Sequence, residues 1–367
     1  MKKIGIVGIG CISGIYLENI TNVFKEIKIE AVCDLIKERA LNAQRDYNIP
    51  KVYDTMYELF ADDEIDIVLN LTRPYEHFDV TKNALLAGKH VYSEKPLGVT
   101  VEEGKELVAL AEEKGLMLGG APDTFMGAGI QTCRKLIDEG YIGDIVGASG
   151  AMICRGHETW HPDPEFYYKR GGGPMLDMGP YYVTALVNLL GGVKSVCGAA
   201  KITFPQRTIT SQPFAGTVID VDVPTYITGV MRFESGAVAT LTTTFDVFRS
   251  NSHDIEVYGS KGTLFVPDPN CFGGPITYYN GETGETEEIP LAFDYDENSR
   301  ALGLADMARA LETGRLPRAS YKQTFHVLEI MEAFGKSSET GAAVEITSRY
   351  ERQPGMNAEN EHGVFDK

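Results

Sequence analysis

Apolar and polar positions alternate in two distinct regimes along the chain. Residues 3–7 (KIGIV) form a short β-rich run, followed by Gly8-Ile9-Gly10 and an apolar-periodic stretch that predicts a helix to about Glu26. Residues 28–34 (KIEAVCD) predict a second strand and residues 35–47 an amphipathic helix. The near-continuous apolar run IDIVLNL at 65–71 predicts a strand buried on both faces. Residues 77–88 predict a helix ending at a C′ glycine, Gly88, and residues 90–96 (HVYSEKP) a strand and turn. Residues 100–115 predict a helix with Thr100 as N-cap and Glu103 at the capping-box spacing, and MLGGAP at 117–122 a sixth strand. Strands alternating with helices imply right-handed βαβ units and a doubly wound parallel sheet.

From about residue 144 the period changes. Residues 144–155, 195–204, 225–248 and 253–268 are β-rich and broken by short turns such as Glu234-Ser235-Gly236 and Gly259-Ser260-Lys261-Gly262. Such runs predict an open, largely antiparallel sheet. An apolar helix is expected in the latter part of 171–192, and amphipathic helices over 299–314 and 321–336. The tail from about Ser348 is polar and reads as an arm or a frayed end. The expected α/β architecture is a first domain over 1–122 and a second over 123–367, whose last helices could pack back on the first.

Composition narrows the partners. The chain has 367 residues, 43% hydrophobic and 23% charged, with a formal charge of −18. An acidic surface argues against nucleic acid, which needs basic surface to displace counterions, and against an anionic membrane. Six irregularly spaced cysteines without a C-x-x-C pair fit a reduced, cytoplasmic compartment. The apolar run before Cys11 is short for a signal sequence and carries three glycines.

The candidate chemistry begins at the first strand–helix turn. Gly8 permits a tight turn, Gly10 lets backbone approach a pyrophosphate, and the helix N-terminus supplies N–H donors. The turn Gly8-Ile9-Gly10-Cys11-Ile12-Ser13 is thus the expected cofactor cradle, with Cys11 and Ile12 beside the glycines. Ser13 is small enough for close helix–strand packing, and its hydroxyl could reach a phosphate. Asp34, at the end of the second strand, would accept from ribose hydroxyls and repel a 2′-phosphate. NAD is therefore the expected cofactor, while Lys37 and Arg39 leave NADP open.

Residues 157–161 read HETWH, the H-E-x-x-H pattern of zinc proteases. That site requires a helix to bring both imidazoles to one face. Pro162 and Pro164 block a helix here, so no metal is expected.

The glycine turn, Glu94-Lys95-Pro96, Gly171-Gly172-Gly173 and Asp177-Met178-Gly179-Pro180-Tyr181 together resemble the Gfo/Idh/MocA family, the glucose–fructose oxidoreductase and inositol dehydrogenase group. The resemblance implies a Rossmann domain, an α/β second domain, NAD(P)-dependent redox chemistry on sugars or polyols, and homodimers or homotetramers. It implies that Lys95 is catalytic, hydrogen-bonding the substrate oxygen, with Glu94 orienting Lys95 or the nicotinamide. The family's D-x-x-x-H motif departs here by carrying Tyr181 at the histidine position. Tyr181 is then the expected acid/base group and Asp177 the residue that orients. Asn70-Leu71-Thr72-Arg73-Pro74 should line the cofactor crevice, so Thr72 and Pro74 are expected cofactor contacts. His77 either contacts cofactor or caps the following helix. Asp123 and Phe125 lie at the crossover and could touch cofactor or substrate. The resemblance makes His157, Trp160 and His161 substrate contacts. The implied function is hydride transfer between a secondary hydroxyl of a sugar, glycoside or polyol and nicotinamide. Two alternatives are redox-assisted glycoside cleavage and a non-catalytic NAD-sensing regulator.

Overall fold

The computed structural model describes residues 1–359 and 362–365. They fall into two compact units, one built from residues 1–128, 292–325 and 353–367, the other from 129–291 and 326–352. The sequence suggested a break at 122/123 with the last helices free to pack back on the first domain; contacts in space assign two later segments to the first unit.

The first unit opens with β1 (Lys2–Val7), α1 (Ser13–Asn22), β2 (Ile27–Cys33), α2 (Lys37–Tyr47), β3 (Lys51–Tyr53) and α3 (Met56–Phe60). It continues through β4 (Ile67–Asn70), α4 (His77–Leu86), β5 (His90–Ser93), α5 (Val101–Lys114) and β6 (Leu118–Gly120). The six strands are parallel in the order β3-β2-β1-β4-β5-β6, that of a dinucleotide-binding sheet. All four residues of β4 are buried, as its apolar run implied. Thr100 caps α5 by accepting from the Glu103 N–H at 3.2 Å. The Glu103 carboxylate reaches one residue further back than a capping box requires, to the Val99 N–H at 2.8 Å.

Three features differ from the sequence expectation. Helix α1 stops at Asn22 rather than near Glu26, because Phe24 turns into the core beside Tyr295 and Phe365. Strand β3 and helix α3 were not anticipated. Their signal was present in Thr55-Met56-Tyr57-Glu58, where both hydrogen bonds of a capping box form. The polar tail is not an arm over its described part. Phe365 is buried and its N–H donates to Glu26 Oε1, while the Gly363 N–H donates to the Tyr295 hydroxyl.

The second unit takes α6 (Ala128–Asp138, from its second residue), β7 (Ile145–Ile153), α7 (Gly173–Asp177), α8 (Gly179–Leu190) and β8 (Val193–Lys201). It adds β9 (Gln206–Thr208), β10 (Val218–Asp220), β11 (Tyr226–Phe233), β12 (Val238–Thr244), β13 (Ile255–Gly259), β14 (Gly262–Val266), β15 (Ile276–Asn280) and β16 (Thr286–Ile289). Helix α9 (Leu302–Thr313) belongs to the first unit, α10 (Tyr321–Thr340) starts there and ends in the second, and β17 (Val344–Glu345) closes the second. The nine-stranded sheet runs β16-β15-β14-β13-β7-β12-β11-β8-β17 and is antiparallel except at β7–β12. The hairpins over 225–248 and 253–268 form as the alternation implied. Every residue of α8 is buried, and the helix packs on β7.

A buried carboxylate secures the first unit's later segments. Asp306 of α9 is fully buried and accepts from the Arg315 and Arg318 guanidiniums and from the Arg318 N–H at 2.7 Å. Arg318 in turn donates to the Pro354 and Gly355 carbonyls, which ties the tail down. Removing one partner of a buried ion pair leaves the other uncompensated, at a cost of about 3–5 kcal/mol. Asp306→Ala is expected to lower the unfolding free energy by that amount, measured by urea denaturation.

Candidate active site

In the first unit the expected cofactor residues gather at the carboxyl ends of the strands. Gly8 has φ +96°, and a Cβ there would lie 2.9 Å from the Leu71 carbonyl carbon and oxygen, so only glycine fits against the end of β4. A Cβ built on Gly10 meets nothing within 4 Å, so one face of the turn is open to a ligand. Asp34 braces the turn, accepting from the Ile9 N–H at 2.6 Å and the Ile36 N–H at 2.7 Å. Its two oxygens retain lone pairs for ribose hydroxyls. The Ser13 hydroxyl donates back to the Gly10 carbonyl at 2.8 Å, so it stabilises the turn rather than pointing outward. Cys11 is exposed and Ile12 half-buried beside it. These residues fit a dinucleotide.

Beside the turn, the Asn70 amide fixes the β4 loop. Its oxygen accepts from the Thr72 N–H and hydroxyl, and its nitrogen donates to the His77 carbonyl and Thr81 hydroxyl. Pro74 starts a single 3-10 turn over Pro74–Glu76. His77 opens α4 and is 1% exposed. Its Nδ1 lies 2.7 Å from the Pro96 carbonyl and its Nε2 3.0 Å from the Thr72 carbonyl, so the ring straps two loops together. Burial holds its pKa below the ordinary histidine value, against the pull of those two carbonyls. Lys95 lies two residues beyond the end of β5, half-buried, and its peptide bond to Pro96 is cis. The buried Glu94 accepts from the Lys95 N–H at 3.0 Å and from the Tyr16 hydroxyl at 2.7 Å. Burial, then the Glu94 charge, pushes the Tyr16 phenol well above its usual pKa.

Asp123 is 1% exposed, and one oxygen accepts from the Gly303 N–H at 3.0 Å. It is thus buried within the first unit.

In the second unit one expected residue, Asp177, meets the HETWH segment through His157. This segment is a turn, not a helix, closed by the His161 N–H donating to the His157 carbonyl at 3.0 Å. Nor are Asp177 and Tyr181 on one continuous helix: α7 ends at Asp177 and α8 starts at Gly179-Pro180, with Met178 between. Tyr181, 7% exposed, sits in the first turn of α8. His157 Nε2 lies 3.0 Å from Asp177 Oδ2. Glu158 is anchored by Arg207, whose guanidinium donates to Glu158 Oε1 at 2.7 Å and to Asp246. The Tyr168 hydroxyl donates to the other Glu158 oxygen. His161 Nδ1 accepts from the Asp163 N–H at 3.0 Å, and burial lowers its pKa. Trp160 is 62% exposed and packs edge-on against the His157 and His161 rings.

Two family profiles match this chain. The oxidoreductase family with an NAD-binding Rossmann fold covers residues 2–120, and the GFO/IDH/MocA C-terminal domain covers residues 130–265. The chain belongs to the Gfo/Idh/MocA family. The oxidoreductase class, the NAD(P) cofactor and the two-part α/β fold expected from the sequence therefore hold. The chain is similar to D-xylose 1-dehydrogenase (NADP(+)) 2 of Haloferax volcanii, 26% identical over 88% of this chain and 93% of the relative. It is also similar to D-glucoside 3-dehydrogenase of Escherichia coli, 24% identical over 94% of this chain and 97% of the relative. A levoglucosan dehydrogenase solved with NADH and L-sorbose has the same fold: TM-score 0.81, 19% identity, 95% of this chain and 99% of that one.

Within this Gfo/Idh/MocA member, sequence reasoning missed Tyr16, Tyr168, Arg207 and Asp246, which hold the site residues in place. No local motif marks them: Arg207 meets Glu158 across 49 residues and Tyr16 meets Glu94 across 78. Glu158 was visible, but its partner was not.

Burial pushes the Asp123 carboxyl up to about 6. The folded state therefore binds a proton that the unfolded state has already released between about pH 4 and 6. Stability contributed by this group is present below that window and lost as pH rises through it. Asp123→Asn is expected to flatten that part of the stability–pH curve, measured by urea unfolding at pH steps from 4 to 7.

Proposed function

We propose that the chain oxidises or reduces a secondary hydroxyl of a sugar, glycoside or polyol with NAD as the preferred cofactor. The observation that carries this reading is Lys95, placed at the carboxyl end of β5 with its backbone held by the buried Glu94. In an open α/β sheet that end is where ligands bind. The sugar substrates named for the xylose and glucoside relatives support the substrate class. Asp34 supports NAD, since a carboxylate at the end of β2 accepts from ribose hydroxyls and repels a 2′-phosphate. Thr72, Pro74 and His77 belong to the cofactor side of the proposal, with His77 acting through the two loops it joins.

Bound nicotinamide supplies the hydride acceptor or donor. The Lys95 ammonium donates a hydrogen bond to the reacting oxygen and favours its developing negative charge. Tyr181 exchanges the hydroxyl proton, and Asp177 orients that exchange. The exposed Trp160 gives an aromatic face for the apolar side of a sugar ring, and His161 a polar contact for its hydroxyls. The proposal includes a cytoplasmic homodimer or homotetramer, which light scattering on the purified chain tests.

Lys95→Met is expected to abolish NADH formation on a panel of sugars, glycosides and polyols while leaving NAD affinity within about threefold by calorimetry, a shift under ~1 kcal/mol. Retained turnover removes Lys95 from the mechanism. Bound NAD with no turnover by the wild type on any of the panel overturns the enzymatic reading.

A further inference from the structure

The HETWH segment has the zinc-protease spacing without its backbone, and its side chains serve three different ends. Glu158 is spent on Arg207 and Tyr168, and His161 on the Asp163 N–H. His157 turns the other way, to Asp177, with Nε2 3.0 Å from Oδ2 and both side chains largely buried. A carboxylate accepts, so the hydrogen of this bond is on Nε2.

The ring has little freedom. Tyr167, Phe245 and Trp160 surround it, with centroids at 4.1, 4.6 and 5.2 Å. Its backbone is fixed as well: the His157 N–H donates to the Tyr168 hydroxyl at 3.2 Å, and that hydroxyl donates to Glu158. Gly156, at φ +106°, lets the chain pass; a Cβ there would stand 2.5 Å from the Tyr168 hydroxyl and 2.6 Å from Glu158 Oε2. A continuous set of contacts thus runs from the buried Arg207 through Glu158 and Tyr168 to His157, and from His157 to Asp177.

The other ring nitrogen, Nδ1, is buried and makes no hydrogen bond among the described residues. Burying an unsatisfied polar atom is unfavourable. Leucine or phenylalanine would fill an aromatic box without that cost, so packing does not account for histidine here. Donation to Asp177 does.

We propose that His157 is a positioning residue for the reaction: it holds the Asp177 carboxylate by donation from Nε2, and the Arg207–Glu158 anchor holds His157. This rests on the role given to Asp177 above. It also moves His157 from the substrate contacts expected from the sequence to the support behind them.

The test uses the full-length chain with NAD and, as probes, D-xylose, methyl β-D-glucoside and myo-inositol. A hydrogen bond to a charged group predicts that His157→Leu lowers kcat about 10- to 100-fold while KM for NAD stays within about twofold. Glutamine places an amide N–H near the Nε2 position, so His157→Gln is expected to recover most of kcat. In an Asp177→Ala background, His157→Leu should cost nothing further, because the carboxylate it positions is gone. An unchanged kcat in His157→Leu, a His157→Gln as slow as the leucine variant at equal melting temperature, or additive losses in the double variant each overturn the proposal. Should His157→Leu fail to fold, His157→Gln and Asp177→Ala still decide it. An inactive wild type removes the functional reading itself and this role with it; an active wild type with an unaffected His157→Leu removes only this inference.

Discussion

The candidate site of the second unit depends on one buried cation. The Arg207 side chain is 3% exposed and meets two carboxylates, Glu158 and Asp246, along with the carbonyls of Arg155 and Phe245. A guanidinium taken out of water at that depth needs charge and good geometry around it; the two terminal nitrogens of Arg207 find both, while its Nε has no partner among the described residues. Pairing those terminal nitrogens brings together the β9 strand, the end of β12 and the loop after β7. Once Glu158 is committed there, the positions of His157, Trp160 and His161 follow from the turn they share. The ion pair therefore orders the loop, whatever it contributes to net stability.

The first unit solves a different problem with a different device. Its site is made of strand ends, and its fixing groups are neutral or singly charged: the Asn70 amide, the His77 ring, and the Glu94 and Asp34 carboxylates receiving backbone N–H groups. Asp34 and His77 each hold one loop against a neighbouring strand's loop, while Asn70 and Glu94 brace the loops they stand in. This is possible because parallel strands deliver their carboxyl ends to one edge of the sheet, where short side chains can span neighbouring turns. The arrangement leaves Lys95 with a braced backbone and the Gly8 turn pressed against the end of β4.

Much of this was legible beforehand. Parallel strands buried on both faces leave long apolar runs, helices between them leave a 3.6-residue period, and the motifs of the dinucleotide turn are contiguous. In the first unit the elements passed over were short: β3 has three residues and α3 five, too few for any period to show; in the second unit the 11-residue α6 and the β15–β16 hairpin were passed over as well. In the second half, hairpins with glycine turns were visible, whereas the small β9–β10 pair was not, because an isolated three-residue pairing carries almost no pattern. The polar tail misled for a related reason. Its anchors are a few groups, Phe365 and the Pro354 and Gly355 carbonyls, and a polar average conceals them.

By itself, the sequence determined the longer strands and helices of the first unit, the dinucleotide turn with its acidic partner and the non-helical backbone of HETWH. All of these follow from local sterics: glycine at positive φ, proline against helix, and apolar period. Only the tertiary structure decided which groups meet across long separations. It paired His157 with Asp177 over 20 residues and Arg207 with Glu158 over 49, turned Asp123 inward to Gly303 over 180, and made His77 a strap between loops. The physical reason is that a polar side chain declares its chemistry but not its partner. The partner is chosen when burial removes water and each donor must find whatever acceptor the fold has placed within about 3 Å.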